Sequence, residues 1–499
     1  MLSNDVLLSI FDFSAVEDLS EFDAERMPGR REIEAWWQTL VHVCRQWRCV
    51  IFSSPRRLNL RLRCSMGTPR DALDVWPAFP FVICGNVDPG RLDNLIALLE
   101  LSDRVCQINF TFNNTSSDFE AVLEAMQKPF PELTDLALWC PHSASIPPLP
   151  DSFLGGSAPR LRNLSLCNIS FPGLPKLLLA ATQLIGLFLS RIPLSGYISP
   201  DAMVAVLSTL ACLESLNLHF QSPRSRPDRA TQHLPSLTHS ALPVLTELKF
   251  QGAFVEYLED LVARIDVPQL RTLGITFFNQ VVYTPQLVEF ICRTPKLNVI
   301  ENSCFVFGHY DIPTTLSGIY DRREFTVKIP CGGLDQQLSS LAQIFTSSLP
   351  PLSTLEDLYV YENQNSQLDR ENDIEITAWL ELLHPFMGVK YLYLSKQFVR
   401  RIKRALQVLV GDRSTEVLPA LQSILLEGLQ SSRSVQEGIG QFVAPRQVIN
   451  HPITVAYWER RKKDERKKDD EDEESEDDDE DDADEDEFDG NGNGEVGDD

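Results

Sequence analysis

The stretch Leu133-Thr134-Asp135-Leu136-Ala137-Leu138 returns 28 residues later as Leu161-Arg162-Asn163-Leu164-Ser165-Leu166. After 23 more it returns as Leu184-Ile185-Gly186-Leu187-Phe188-Leu189. The same spacing of apolar residues recurs at Leu213/Leu216/Leu218, Leu245/Leu248/Phe250 and Leu270/Leu273/Ile275. Further on it recurs at Leu355/Leu358/Val360, Val389/Leu392/Leu394 and Leu421/Ile424/Leu426, with a degraded copy at Leu297/Ile300. The 58 residues from 297 to 355 make two steps, and Phe325-Thr326-Val327-Lys328-Ile329, alternating at period two, fits the missing strand. Self-similarity at a fixed period is the signature of a repeat array.

Helix-like segments lie between the strands. Ser117 to Leu123 opens with capping residues, and Pro200-Asp201 leads into Ala202 to Leu207. Residues 254–265, 285–292, 335–345 and 374–383 read alike. Strand plus helix every 23 to 34 residues is the period of leucine-rich repeats. One such unit cannot bury its own apolar face, so stacked neighbours must share a core. The expected fold is α/β, a curved solenoid with parallel strands on its concave side. An ordinary α/β sheet also alternates strands with helices, but ten registered copies favour the repeat. Leu58-Asn59-Leu60-Arg61-Leu62 and Gln107 to Phe112 alternate as strands with a helix over 91–101 between them, and read as irregular first units.

The first residues do not fit the repeat. Leu2, Val6, Leu7, Ile10 and Phe11 follow helical spacing, as do Leu40, Val43, Cys44, Trp47 and Val50-Ile51. The opening Leu2-Ser3-Asn4-Asp5-Val6-Leu7-Leu8-Ser9-Ile10-Phe11 and the segment Val43-Cys44-Arg45-Gln46-Trp47-Arg48 resemble the two halves of an F-box. The whole chain resembles the F-box proteins with leucine-rich repeats of mushroom-type fungi. Ser3 stands where that family usually has Pro, and a polar segment, Ser14 to Glu34, separates the halves. The resemblance implies docking on the SKP-type adaptor of a cullin–RING ubiquitin ligase. Leu2, Val6, Leu7, Ile10, Phe11, Leu40, Val43, Cys44 and Trp47 would form the docking face and its support. The other reading of these residues is a cap on the open end of the solenoid. The domains expected are a helical motif over 1–53, the solenoid over 54–458 and a tail over 459–499.

If the leucines point inward, alternate residues line the opposite face. These include Trp139, Phe188, Asn217, His219, Lys249, Gln251, Thr276, Tyr359, Tyr361, Tyr391 and Tyr393. The tyrosines near the end would suit a protein-binding hot spot, although tyrosine also simply favours strands. Residues 221–239, rich in Pro, Ser and Arg, offer a rival surface.

The 499 residues carry a formal charge of -26, unevenly placed. Twenty-one acids and no Lys or Arg lie between Asp469 and Asp499, which leaves 50 acids against 45 bases elsewhere. The body lacks the basic excess that broad nucleic-acid binding needs. The tail holds too little apolar residue to fold and reads as disordered. Its basic cluster at 460–468 reads either as a nuclear import signal or as a charged extension, and its acidic run either as a solvating segment or as a binder of histones.

The 11 cysteines form no Cys-x-x-Cys, and Cys106, Cys167 and Cys212 read as buried free thiols of a reducing compartment. Acidic residues come early and no basic n-region does, so no signal peptide is expected, and triplets such as Asn163-Leu164-Ser165 are chance matches. No uncharged apolar run reaches the roughly 18 residues of a spanning helix. No phosphate loop, dinucleotide fingerprint, His-Glu-x-x-His or nucleophile elbow occurs, so the expectation is no catalysis, no cofactor and no metal. The function expected is substrate recognition in a ubiquitin ligase, in the cytoplasm or nucleus, for a target not named by the sequence. The alternatives are a repeat scaffold outside any ligase and an acidic-tailed nuclear histone-binding protein.

Overall fold

The computed structural model describes residues 3–14, 36–54, 58, 60–65, 68–69, 73, 78–112, 116–140, 147–221, 239–252, 255–277, 284–297, 302–307, 315–317, 324–328, 342, 355–362, 376–395, 417–427, 439–440, 443–444 and 452–458. Three helices come first: α1 (Asn4–Ser14), α2 (Trp36–Val41) and α3 (Arg45–Ser53). The strands are β1 (Leu62–Ser65), β2 (Phe81–Val87), β3 (Val105–Phe112), β4 (Asp135–Trp139), β5 (Asn163–Cys167), β6 (Gly186–Ile192), β7 (Ser215–Phe220), β8 (Ser240–Ala241), β9 (Glu247–Gly252), β10 (Ile265–Asp266), β11 (Thr272–Phe277), β12 (Asn302–Phe307), β13 (Thr315–Ser317), β14 (Glu324–Lys328), β15 (Asp357–Glu362), β16 (Tyr391–Leu394), β17 (Ser423–Glu427) and β18 (Thr454–Trp458). Between them lie α4 (Leu92–Leu99), α5 (Ser116–Ala125), α6 (Leu174–Ala180), α7 (Pro200–Leu207), α8 (Val255–Val262), α9 (Pro285–Arg293) and α10 (Ile376–Leu383).

The strands build a ten-stranded parallel sheet, β1 to β7 then β9, β11 and β14, and a six-stranded sheet in the order β13-β12-β15-β16-β17-β18. The register explains the repeat. Leu136, Leu164, Leu187, Leu216, Leu248, Leu273 and Phe325 are paired across consecutive strands. In the nine complete copies all three apolar residues are at most 4% exposed. Removing each from water stabilises the fold by about 1.5–3 kcal/mol before entropy is counted. Backbone groups link the units too. The amide of the residue after the first leucine bonds one unit back: Arg162 to Thr134, Ile185 to Arg162, Glu214 to Ile185, Thr246 to Glu214, Arg271 to Thr246. A buried polar backbone is thereby satisfied between repeats.

Two departures from simple stacking appear. Early in the chain, β1 starts at Leu62, the last residue of the segment expected as a strand, and β2 at Phe81 is a unit the leucine spacing does not announce. Later, the degraded copy does not supply the next strand. Leu297 closes the turn after α9, while β14 takes the place beside β11 and β12 pairs with β15. The antiparallel hairpin β12–β13 carries the chain back, so two units are laid down out of sequence order. An antiparallel partner can follow after a short connection, whereas a parallel one needs a crossover. Of the helix expected over 335–345, only Ala342 lies within the described residues, and it is helical and buried. Residues 459–499 lie outside them.

A tight turn links two units. Leu154 and Gly155 have φ of 53° and 67°, and the amides of both bond back to Met126 and Gln127. A β-carbon at Gly155 would sit 2.8 Å from Pro129 Cγ. Gly155→Ala is therefore expected to destabilise the protein by more than about 1 kcal/mol, adding backbone strain to a clash. An unchanged urea midpoint would contradict this.

Cys106 and Cys167 are buried free thiols, but Cys212 is exposed on the turn before β7, which corrects the expectation for it. Burial pushes the Cys64 and Cys140 thiols up to about 12, so neither is a nucleophile near neutral pH.

Candidate functional site

The amino-terminal helices fold as one small layer. Ser3 starts α1, accepting from the Leu7 amide at 3.0 Å through its carbonyl. Cys44 caps α3, its Sγ accepting from the Trp47 amide at 3.5 Å. Arg48 Nε donates to the Val41 carbonyl at 2.9 Å and ties α3 to α2. Phe11 meets Trp47 edge to face with centroids 5.1 Å apart. Trp37 reaches furthest. It packs edge-on against Phe52 and Phe79 at 6.4 and 5.7 Å, and its Nε1 donates to the Arg61 carbonyl at 3.3 Å. This layer thus closes the core at the β1 end.

The expected docking residues divide into three groups. Leu7 and Phe11 are buried against the other helices, Leu40 and Trp47 are half-buried, and Val6, Ile10, Val43 and Cys44 are exposed. Leu2 lies outside the described residues. Val6 and Ile10, four residues apart, share one stripe of α1 and are 44% and 41% exposed, while Val43, in the turn before α3, is 58% exposed. The sequence reading did not single out Trp37, although the pair Trp36-Trp37 was a signal for an anchor.

A second surface is the sheet face opposite the buried leucines. In the first sheet it is a polar ladder. Asp135 accepts from Gln107 at 2.8 Å, from Asn163 at 2.6 Å and from Thr134 at 2.6 Å. Glu247 accepts from Ser215 at 2.7 Å and pairs with Lys249 at 2.5 Å. Trp139 is exposed and Phe188, His219 and Lys249 are half-buried; the last three lie on the neighbouring strands β6, β7 and β9, and Trp139 stands two strands from Phe188 on β4. Burial, with the Arg191 guanidinium beside it, lowers the His219 pKa from 6.5 to about 4. The neutral imidazole of the fold therefore contributes stability above about pH 6.5, which is lost as pH falls through about 4. His219→Gln is expected to flatten that part of the curve of denaturant midpoint against pH, and an unaltered slope would refute the assignment.

In the second sheet the aromatic residues do converge. Tyr359 and Tyr393, paired in register, stack with centroids 4.0 Å apart at 14°. Trp458, at the end of β18, stands edge-on to both, at 6.1 Å and 71° from Tyr359 and at 5.5 Å and 84° from Tyr393. The Tyr393 hydroxyl bonds to Asp357, whose carboxyl is raised by partial burial against that hydrogen bond. Tyr391 pairs with Asp357 in register, and the side chain of Tyr361 lies outside the described residues. Trp458 was not foreseen, because Thr454-Val455-Ala456-Tyr457-Trp458 lacks the leucine spacing. Among the described residues no group of three His, Cys, Asp or Glu side chains could hold a metal, and no helix is long and apolar enough to cross a membrane.

These surfaces sit on a leucine-rich-repeat-like fold, established by strand order and register within the chain itself. No family model matches the chain, and no curated protein does. Among solved structures it is similar to the leucine-rich repeat-containing protein LegL7 from Legionella pneumophila, at 13% identity over 76% of this chain and 97% of that one, with a TM-score of 0.27. A likeness of that size carries no argument about function.

Proposed function

We propose that this chain is the substrate-recognition subunit of an SKP–cullin–F-box type ubiquitin ligase, in the cytoplasm or nucleus. The helical layer would bind the adaptor and the repeat sheet a target protein. Ubiquitin transfer would belong to other subunits, and this chain would supply proximity and orientation. The observation supporting this reading is the outward stripe of Val6 and Ile10 on α1, together with Val43 exposed in the turn before α3. A layer that only capped the solenoid would need a polar outer face, yet this one hides Leu7, Phe11 and Trp37 and leaves three branched apolar residues in water. Such a stripe fits helix-to-groove recognition.

The second reading is a protein-interaction scaffold outside any ligase, favoured by the way Trp37 closes the core. A histone-binding role would rest on the acidic run from Asp469 alone. Size-exclusion chromatography of the intact chain mixed with a purified SKP-type adaptor tests the proposal. Co-elution at micromolar concentration is the expected result; separate elution would leave the scaffold.

A further inference from the structure

The core ends differently at β1 and at β18. At β1 the helical layer covers it, with Trp37 1% exposed. At β18 the buried rows run on to an open strand. Leu358, Leu392 and Ile424 are paired in register and lead to Val455, and Val360, Leu394 and Leu426 lead in the same way to Tyr457. The first three members of each row are at most 1% exposed, whereas Val455 and Tyr457 are each 43% exposed. Among the described residues β18 is the last strand of its sheet and pairs with β17. The Thr454 amide donates to the Gln422 carbonyl at 2.9 Å. Alternate residues of a parallel ladder face the same neighbour, so the backbone groups of Val455 and Tyr457 are directed away from β17.

An edge of this kind is a template for another strand. The chain beyond it is a poor cover: from Glu459 to Asp499 its only apolar residues are Ala483, Phe488 and Val496, set among charges. A second copy is a good one, because the strand is complementary to itself. Turned antiparallel about a two-fold axis at Ala456, Val455 of one copy stands opposite Tyr457 of the other on the same side of the sheet. The outward backbone groups of these two residues then exchange both ladder bonds. An aromatic residue against a β-branched one is a favourable cross-strand pair. Such a contact closes at two copies. It also sends the two acidic runs from Asp469 out at opposite ends, where a parallel pairing would set them side by side.

We infer that β18 is a homodimer edge, pairing antiparallel with β18 of a second copy of this chain about Ala456. The two six-stranded sheets become one, and Val455 and Tyr457 of each copy leave water. The inference goes beyond the ligase reading and does not rest on it, since the adaptor would bind the helices at the β1 end.

The test is sedimentation velocity of the full chain over a range of concentrations. The expected result is a monomer–dimer equilibrium with a Kd on the order of 10 μM. It should tighten as salt is raised, because two copies of charge -26 repel each other. Val455→Lys, which puts a charge on the edge, is expected to weaken the dimer at least about tenfold, and Tyr457→Phe to leave it unchanged. A third variant reads the register. Ala456 would face its own copy with Cα atoms about 4.5 Å apart, within disulfide reach. With oxidised glutathione, Ala456→Cys should therefore cross-link between copies faster than Thr454→Cys or the parent. A parent that stays monomeric at about ten times the expected Kd would overturn the inference. So would Val455→Lys dimerising as the parent does, or Thr454→Cys cross-linking as fast as Ala456→Cys. Melting temperatures equal to the parent's show that the variants are folded.

Discussion

Trp37→Ala is expected to cost about 3–5 kcal/mol, the range for truncating a large aromatic residue in a packed core. Trp37 is 1% exposed and joins three pieces of chain: its own helix, Phe52 on α3, and Phe79 just before β2. The variant leaves a cavity and also strips the Arg61 carbonyl of its indole donor. In a stack of repeats each unit leans only on its neighbours, so the damage should be local. Hydrogen exchange should quicken in α1 to α3 and β1 and remain slow in β4 to β9. A drop in stability below 1 kcal/mol, or exchange that quickens evenly along the chain, would show that the helical layer does not close the core.

The central repeat was legible because one physical demand is written many times. Each Leu-x-x-Leu-x-Leu places three side chains on the covered face, and the copies are buried as their spacing implies. The order of strands around β12 and β13 was not legible. Spacing reports how far apart strands begin, not which slot each takes, and Thr315-Leu316-Ser317 is too short to announce a hairpin. β2 escaped notice because Phe81-Val82-Ile83 packs with phenylalanine and isoleucine where later units use leucine.

On α1 the apolar residues at 6, 7, 10 and 11 span a stripe wide enough to turn inward on either half. Sequence spacing cannot choose between halves. The choice follows from Phe11 finding Trp47, which turns Leu7 inward with it and leaves Val6 and Ile10 outside. On the far sheet the tyrosines were readable by position, but their convergence depends on Trp458 reaching back from the last strand.

The division on α1 fixes the second large effect. Val6→Asp/Ile10→Asp changes exposed positions, so the chain should fold with stability within about 0.5 kcal/mol per site of the parent. If the stripe enters an apolar groove, two carboxylates must lose water there, and each such burial costs several kcal/mol. Binding should then fall at least a hundredfold, since each 1.4 kcal/mol is tenfold. Leu7→Asp would be a poor probe, because Leu7 is 1% exposed within the chain and its loss would unfold the helical layer.

The most direct test of the ligase reading is calorimetric titration of an SKP-type adaptor into the intact chain and into Val6→Asp/Ile10→Asp. The account expects a saturating one-to-one isotherm for the parent and none for the variant, with equal melting temperatures for the two proteins. Saturation with the same affinity for both, or no heat from the parent, would contradict it and leave the helical layer as a cap.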